Sequence, residues 1–184
     1  MTLGPAFSDA LAAARTGADW AWARIYRDLA PAILGYFRAH GAAEAEDLTS
    51  EVFVSMVRNL GGFEGDEDRF RSWVFVIVHR RLQDERRTLA RRPVVPVPAE
   101  QLERPSTVDV EGEALDAVST ARVRRTFSLL SEDQRDVLTL RIIAELPLDE
   151  TARILGKTTG AVKSLQHRAL QNVVKILSDQ AVAS

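Results

Sequence analysis

The stretch LDETARILGKTTGAVKSLQHRALQNVVKIL, residues 148–177, decides the fold of the C-terminal part of this chain. Its spacing predicts two helices that cross. The small residue Ala152 lies where the first helix would touch the second, and Gly156 can adopt the positive φ with which a helix ends abruptly. After a short turn a second helix runs on from Gly160. We interpret the stretch as a helix-turn-helix motif.

The second helix of this motif has two predicted faces. Its hydrophobic residues recur at helical spacing and should face inward: Val162, Leu165, Ala169 and Val173. Its polar residues are predicted to be exposed near the N-terminal half: Lys163, Ser164, Gln166, His167 and Arg168. That half enters the major groove in helix-turn-helix proteins, and Thr158 or Thr159 could cap the helix beside a phosphate. The pattern therefore predicts DNA contact, with an ordinary solvated helix face as the alternative.

Charge is segregated along the chain. The formal net charge of −2 would by itself argue against nucleic acid, because Lys and Arg supply affinity for the phosphate backbone. However, one stretch is rich in arginine and is opposed only by Asp84 and Glu85: Arg69, Arg71, Arg80, Arg81, Arg86, Arg87, Arg91 and Arg92. Acidic residues are instead concentrated downstream: Glu100, Glu103, Asp109, Glu111, Glu113 and Asp116. The charge pattern therefore allows a nucleic-acid surface in the basic stretch.

The acidic segment is predicted to be a flexible linker. Residues 93–117 contain four prolines and show no apolar periodicity. They separate two small helical domains, residues 1–92 and 118–184. About 25 residues at roughly 3.3 Å each could span on the order of 80 Å, enough to place the domains about two helical turns apart on DNA. One chain could then read two DNA elements at once.

The predicted fold class is all-α. Between Trp22 and Phe37 the apolar residues repeat at three- and four-residue steps, as in a helical hairpin or in a helix kinked at Pro31. Further helices are predicted from about Glu44 to Leu60 and from Phe70 to Ala90. The β-branched run within the latter would suit a buried strand, but it has no partner strand, so we predict helix.

Four helices are predicted for the C-terminal domain. The first runs from about Val118 to Leu130. Ser131 and Gln134 then fit a capping box for a second helix, which continues to about Ala144. The helix-turn-helix supplies the remaining two.

Catalysis and metal binding are not expected. The chain has no cysteine, and His40, His79 and His167 lack metal-ligand spacing. Residues 156–158, Gly-Lys-Thr, resemble the end of a phosphate-binding loop, but Thr151 lies where that motif needs glycine. No cofactor is expected. The longest apolar stretch, residues 73–78, is too short to cross a bilayer, so we expect a cytoplasmic, soluble protein without membrane insertion.

Several short segments together resemble a known family. They are AEDLTSEVF at 45–53, FEG at 63–65, FRSW at 70–73, LLSEDQR at 129–135, TGAVKS at 159–164 and HRAL at 167–170. In this order and spacing they resemble the extracytoplasmic-function (ECF, group IV) sigma factors of the sigma-70 family. The resemblance covers nearly the whole chain, with domain 1–92 similar to region 2 and domain 118–184 similar to region 4.

The resemblance implies a non-enzymatic role in transcription initiation. The protein would bind core RNA polymerase, direct it to promoter DNA and assist strand separation, and an anti-sigma factor would be a further partner. The residues implied for core polymerase are Asp47, Leu48, Glu51 and an exposed Phe53. Those implied for the minus-10 element are Phe63, Arg71, Trp73, Arg80 and Arg81. Those implied for the minus-35 element are Thr158, Thr159, Lys163, Ser164, His167 and Arg168.

Other interpretations of the same residues stay open at this point. Leu48, Val52 and Met56 would equally suit the buried face of a helix, and Trp73, three residues from Phe70, would suit a core position. A regulator that binds an operator without polymerase could use the same helix-turn-helix. An adaptor could use the 44–60 helix to bind protein alone.

Overall fold

The computed structural model describes residues 4–91 and 123–182, and every regular element in these ranges is helical. The N-terminal half contains helices α1 (Phe7–Arg15), α2 (Asp19–Ala39), α3 (Ala45–Asn59) and α4 (Glu67–Arg91), with 3-10 turns at Gly4–Ala6 and Leu60–Gly62. The C-terminal half contains α5 (residues 123–128), α6 (Glu132–Leu138), a π-helical turn (Thr139–Ile143), α7 (Leu148–Leu155) and α8 (Thr159–Val182). The all-α prediction is confirmed. The predicted linker lies outside the described residues.

Helix α2 runs without interruption through Pro31. The hairpin interpretation of this segment was therefore wrong. Pro31 lies on the exposed side of the helix, while Ile25, Leu29 and Ile33 are buried on the other side. Because one core covers the apolar stripe on both sides of the proline, packing outweighs the backbone hydrogen bond that proline cannot donate.

An aromatic core holds the N-terminal half together. Tyr36, Phe37, Phe70 and Phe75 are almost completely buried. The ring of Phe70 lies 5.5 Å from that of Phe7 and 5.7 Å from that of Trp73, between ring centroids. Within α4, the β-branched run that resembled a strand is helical, as its lack of a partner strand predicted.

In the C-terminal half, α6 begins as predicted but does not continue as a regular α-helix. Ser131 and Gln134 form the predicted capping box at α6. That helix was expected to continue to Ala144, whereas it widens into a π-helical turn after Leu138. At this point the Thr139 hydroxyl donates to the carbonyl oxygen of Arg135 at 2.8 Å, and the Ala144 amide donates to the carbonyl of Thr139 at 2.9 Å. Such single π-helical turns within an α-helix are rare, and the sequence gives no local signal for one.

The two halves pack against each other. Leu140, Ala144 and Leu146, which follow α6, are fully buried in the same hydrophobic cluster as helices α1–α4. The partly buried Ile154 and Leu155 of α7 also pack against that cluster. The sequence predicted two domains joined by a linker and gave no indication of this contact. The contact forms because residues 140–146 carry an apolar side that packs against α2.

A polar group of residues lies in the same contact. The Arg86 guanidinium donates to Nδ1 of His40 at 2.9 Å, and Nε2 of His40 lies 3.1 Å from the Thr139 hydroxyl. These bonds assign His40 as neutral, with its proton on Nε2. Burial, and then Arg86, lower the pKa of His40 to about 2, and the same two causes lower the pKa of His79 to about 4. Burial raises the pKa of Asp136 to about 6.

Acidification from pH 7.5 to pH 5.5 should therefore destabilise the protein. Below the unfolded-state pKa of 6.5, His40 and His79 take up protons in the unfolded chain but not in the folded one. The raised pKa of Asp136 stabilises the folded chain on acidification, but this one group offsets only part of the loss from the two histidines. We expect a net loss in the free energy of unfolding on the order of 2 kcal/mol.

Urea unfolding at the two pH values measures this change. The variant His40→Gln, which keeps a polar side chain but cannot titrate, should lose less stability than the wild type on acidification. A wild-type protein that is equally stable, or more stable, at pH 5.5 would contradict the assignment of neutral, buried histidines.

Candidate nucleic-acid and partner interfaces

Helices α7 and α8 cross as the sequence predicted. Ala152 packs with Val137 and Val162 in one buried cluster. Gly156 ends α7 with φ of 62°, in the left-handed region, and the Lys157 amide donates to the carbonyl of Ala152 at 2.9 Å. The predicted helix-turn-helix geometry is confirmed.

The N-terminal half of α8 presents a polar surface. Of the two candidate cap residues, Thr158 does the capping: its hydroxyl accepts from the Ala161 amide at 3.2 Å. Gln166 was expected to be exposed, but it is half-buried and accepts from the guanidinium of Arg141 at 3.2 Å. The remaining polar residues of this half share one exposed surface at helical spacing: Lys163, Ser164, His167 and Arg168.

Helix α3 exposes a different set of residues from the one expected. Phe53 is buried, because the ring of Tyr26 on α2 covers it with 4.7 Å between ring centroids. The expectation of an exposed Phe53 was wrong, and Leu48 is buried as well. Asp47 and Glu51 are exposed, in line with Val54.

The apolar part of the exposed α3 surface comes from valines that the sequence analysis missed. The exposed fractions of Val54 and Val57 are 49% and 55%. A signal was present in the sequence. Asp47, Glu51 and Val54 follow one another at spacings of four and three, on the side of the helix away from the buried Val52 and Met56.

The residues implied for the minus-10 element separate into two groups. Trp73, Arg80 and Arg81 line a cleft of about 720 Å³ between α3, α4 and α7. Phe63 and Arg71 do not line it, and both are buried. The Phe63 ring packs 5.4 Å from the ring of Trp73, and its carbonyl oxygen accepts a hydrogen bond from Arg15.

The cleft combines positive charge with a half-buried indole. Its other lining residues come from three helices: Ser55 and Asn59 of α3, Arg69, Ser72, Val76, Ile77 and Asp84 of α4, and Glu150 and Arg153 of α7. Four arginines thus face two carboxylates. Glu51 of α3 also lies beside this region, 3.4 Å from Arg81. Positive charge beside an aromatic ring suits a single nucleic-acid strand, whose bases can stack on the ring.

Two other kinds of site are absent from the described residues. They contain no group of three or more His, Asp or Glu side chains placed to hold a metal ion. None of the helices in the described ranges is both long and apolar enough to span a membrane.

Comparison with known proteins agrees with this architecture. Residues 23–92 match the family model for sigma-70 region 2, and residues 127–175 match the model for sigma-70 region 4. The chain is similar to the ECF RNA polymerase sigma factor BldN of Streptomyces coelicolor, with 32% identity over 91% of this chain and 64% of BldN. It is also similar to the ECF sigma factor SigD of Mycobacterium tuberculosis, with 31% identity over 87% of this chain and 76% of SigD.

A solved structure has the same fold. CnrH, in complex with the cytosolic domain of CnrY, superposes with a TM-score of 0.67 and 24% identity over 95% of this chain and 99% of CnrH. The chain belongs to the ECF group of the sigma-70 family. Members of this family are transcription initiation factors and not enzymes.

Substitution of the glycine that ends α7 should weaken the helix-turn-helix. We expect Gly156→Ala to lower the free energy of unfolding by about 1 kcal/mol, because alanine is strained at a φ of 62°. Gly160→Ala is the matched control, since Gly160 lies in a helix with ordinary φ and open space around it. It should be neutral or stabilising. Equal losses in the two variants, measured by urea unfolding, would contradict this account of the turn.

Proposed function

We propose that this chain binds core RNA polymerase, directs it to promoters with two separated elements and assists strand separation there. The observation that carries the proposal is the presence, in one chain of the sigma-70 family, of two distinct surfaces suited to DNA. One is the exposed polar surface of α8, and the other is the arginine-lined cleft beside Trp73. A regulator that binds a single operator would need only the surface of α8.

The surface of α8 is proposed to read the minus-35 element in the major groove. Lys163 and Arg168 project from the half of α8 that follows the turn, and both are exposed. Cationic side chains there can reach phosphates or guanine edges, and Ser164 and His167 can add adaptable hydrogen bonds. Thr158 and Thr159 lie at the helix N-terminus, where backbone amides and the helix dipole favour a phosphate.

The cleft is proposed to hold DNA of the minus-10 element. Strand separation needs a place for an unstacked base, and an indole beside positive charge provides one. Trp73 supplies the ring, and Arg80 and Arg81 supply the charge. Phe63 and Arg71 are proposed to support the cleft without contacting DNA, because both are buried and Phe63 packs on the Trp73 ring.

The exposed surface of α3 is proposed to bind core polymerase. It carries Asp47 and Glu51 beside Val54 and Val57, so that apolar area is surrounded by charge. Such a combination is typical of a protein interface, whose centre is apolar and whose rim is polar. Leu48 and Phe53 contribute by fixing the position of the helix from its buried side.

The remaining parts of the proposal concern organisation and control. Residues 1–92 would bind polymerase and the minus-10 element, residues 118–184 would bind the minus-35 element, and residues 93–117 would link them. An anti-sigma factor is proposed as a further partner, by analogy with CnrH, which is held by the cytosolic domain of CnrY. We also propose a cytoplasmic location, because the chain would act there together with core RNA polymerase.

Run-off transcription tests the function. Purified bacterial core polymerase is combined with the wild-type chain and a pool of genomic promoter fragments, and the transcript starts are sequenced. Discrete starts that share two upstream elements are expected. No starts, together with tight operator binding by the chain alone, would replace the proposal with that of a regulator.

Variants of α8, measured in the same run-off assay, test the proposed minus-35 surface. Lys163→Ala and Arg168→Ala should each reduce transcription from the identified promoters by about tenfold, since one good contact to a base is worth roughly 1–3 kcal/mol. Lys175→Ala is the matched control, because it removes an exposed lysine from the same helix about three turns further on. Equal loss in all three variants would argue against a specific minus-35 surface.

A charge placed on α3 tests the polymerase surface. Val54→Glu should weaken binding to core polymerase by at least tenfold, since it buries a carboxylate in the centre of the proposed interface. Leu89→Glu, at a leucine of α4 with an exposed fraction of 52%, is the control. Fluorescence anisotropy of labelled protein with core polymerase gives both affinities. Unchanged binding by Val54→Glu would exclude this surface of α3.

A further inference from the structure

Gln166 is a polar residue of α8 that the proposed minus-35 surface does not use. It follows Lys163 by three residues, so the two side chains are neighbours on the surface of the helix. Val162 and Ala169 beside it are buried, whereas Lys163 and His167 are exposed. Gln166 therefore lies at the border between the core of the helix-turn-helix and its exposed polar surface.

Arg141, in the π-helical turn, fixes the orientation of the Gln166 side chain. Its Nε donates to Oε1 of Gln166 at 3.2 Å, and its Nη1 donates to the carbonyl oxygen of Leu146. A guanidinium has donors and no acceptor, so only the oxygen of the amide can face it. The oxygen and the nitrogen of Gln166 therefore cannot exchange places while this hydrogen bond is present.

The amide nitrogen of Gln166 is left as an accessible donor. Nε2 makes no hydrogen bond within the part of the chain that the structure describes, and it is not one of the buried unpaired atoms there. The amide is planar and carries its oxygen and nitrogen on different sides of Cδ, so Nε2 is directed away from Arg141. Its N–H groups are available to a molecule that binds this part of α8, while the acceptor of the side chain is occupied.

We propose that Gln166 is a further DNA contact of α8, and that Arg141 restricts it to donating hydrogen bonds to acceptors of the minus-35 element. The inference rests on the proposed function, because it takes α8 to read that element. It adds a residue that contacts DNA and a second residue that sets which hydrogen bonds the first can make.

The occupied oxygen of Gln166 limits the DNA groups that it can recognise. An unrestrained glutamine reads adenine with both atoms of its amide, because adenine presents a donor beside an acceptor in the major groove. Gln166 lacks that option, since Oε1 is bound to Arg141. The acceptors that fit a donor alone are the major-groove edges of guanine and thymine and the oxygens of a phosphate.

Replacement by glutamate separates a DNA contact from a structural role. In Gln166→Glu, a carboxylate still accepts the hydrogen bond from Arg141, but it has no donor for DNA. In Gln166→Leu, the bond to Arg141 and the donor are both lost. A residue that only anchored Arg141 would tolerate Gln166→Glu and not Gln166→Leu. The proposal predicts the reverse order, with Gln166→Glu the more damaging change.

Run-off transcription with core polymerase measures both variants on the promoters that the wild-type chain uses. Gln166→Leu should reduce transcription roughly three- to tenfold, the worth of one hydrogen bond, and Gln166→Glu should reduce it further. Gln171→Glu is the matched control, since it adds the same charge at an exposed position of α8 five residues further on. A Gln166→Glu variant that transcribes as well as Gln171→Glu would overturn the proposal.

A promoter pool with a randomised minus-35 element identifies the acceptor. If Gln166 donates to a base, wild-type starts prefer guanine or thymine at one position, and Gln166→Leu removes this preference. If it donates to a phosphate, Gln166→Leu lowers transcription equally for all sequences. Both results support the proposal. A preference for adenine that Gln166→Leu removes would overturn it, because reading adenine needs the oxygen that Arg141 occupies.

A double-mutant cycle tests Arg141 as a positioning residue. Arg141→Met frees Oε1 and lets the Gln166 side chain turn. The factor by which Gln166→Leu reduces transcription should therefore be at least about twofold smaller in the Arg141→Met background than in the wild type. Equal factors in the two backgrounds would overturn the positioning role.

NMR of the free chain tests the same pair without DNA or polymerase. The Nε proton of Arg141 should exchange with water more slowly in the wild type and in Gln166→Glu than in Gln166→Leu. Equal exchange in all three would overturn the orientation of Gln166 by Arg141. Failure of the proposed function is seen separately, as a wild-type chain that gives no promoter-specific starts with core polymerase, and it would remove this inference with it.

Discussion

The buried charge of Asp136 is the constraint on which the arrangement of the two halves depends. A carboxylate that is 5% exposed needs compensation, and Arg86 supplies it from the opposite half. His40 joins the group only in its neutral form, because Arg86 already donates to its Nδ1. The apolar residues after α6 pack beside this group. Polar pairing fixes the relative position of the halves, and apolar burial supplies most of the attraction.

Because the two halves pack together, helix α7 belongs to both of the proposed DNA-binding surfaces. Helix α7 is the first helix of the helix-turn-helix and also a wall of the cleft beside Trp73. Its position therefore couples the proposed minus-35 surface to the proposed minus-10 surface.

Local features were predictable from the sequence because their causes are local. The positive φ of Gly156, the capping box at Ser131 and the inner face of α8 each depend on residues a few positions apart. Features that depend on distant neighbours were not predictable. Tyr26 covers Phe53, α2 stays whole through Pro31, and Asp136 meets Arg86 only because the turn after α6 packs on α2. No periodicity in the sequence reports such contacts.

Amide hydrogen exchange, followed by mass spectrometry on the free chain and on its complex with core polymerase, tests the central claim most directly. The account predicts that peptides spanning 36–40 and 136–146 exchange slowly in the free chain, and that peptides spanning 47–57 become slower in the complex. This result would show the two halves packed around Asp136 and polymerase bound at α3. Fast exchange of the peptides from the contact in the free chain, or unchanged exchange of 47–57 in a complex active in transcription, would contradict the account.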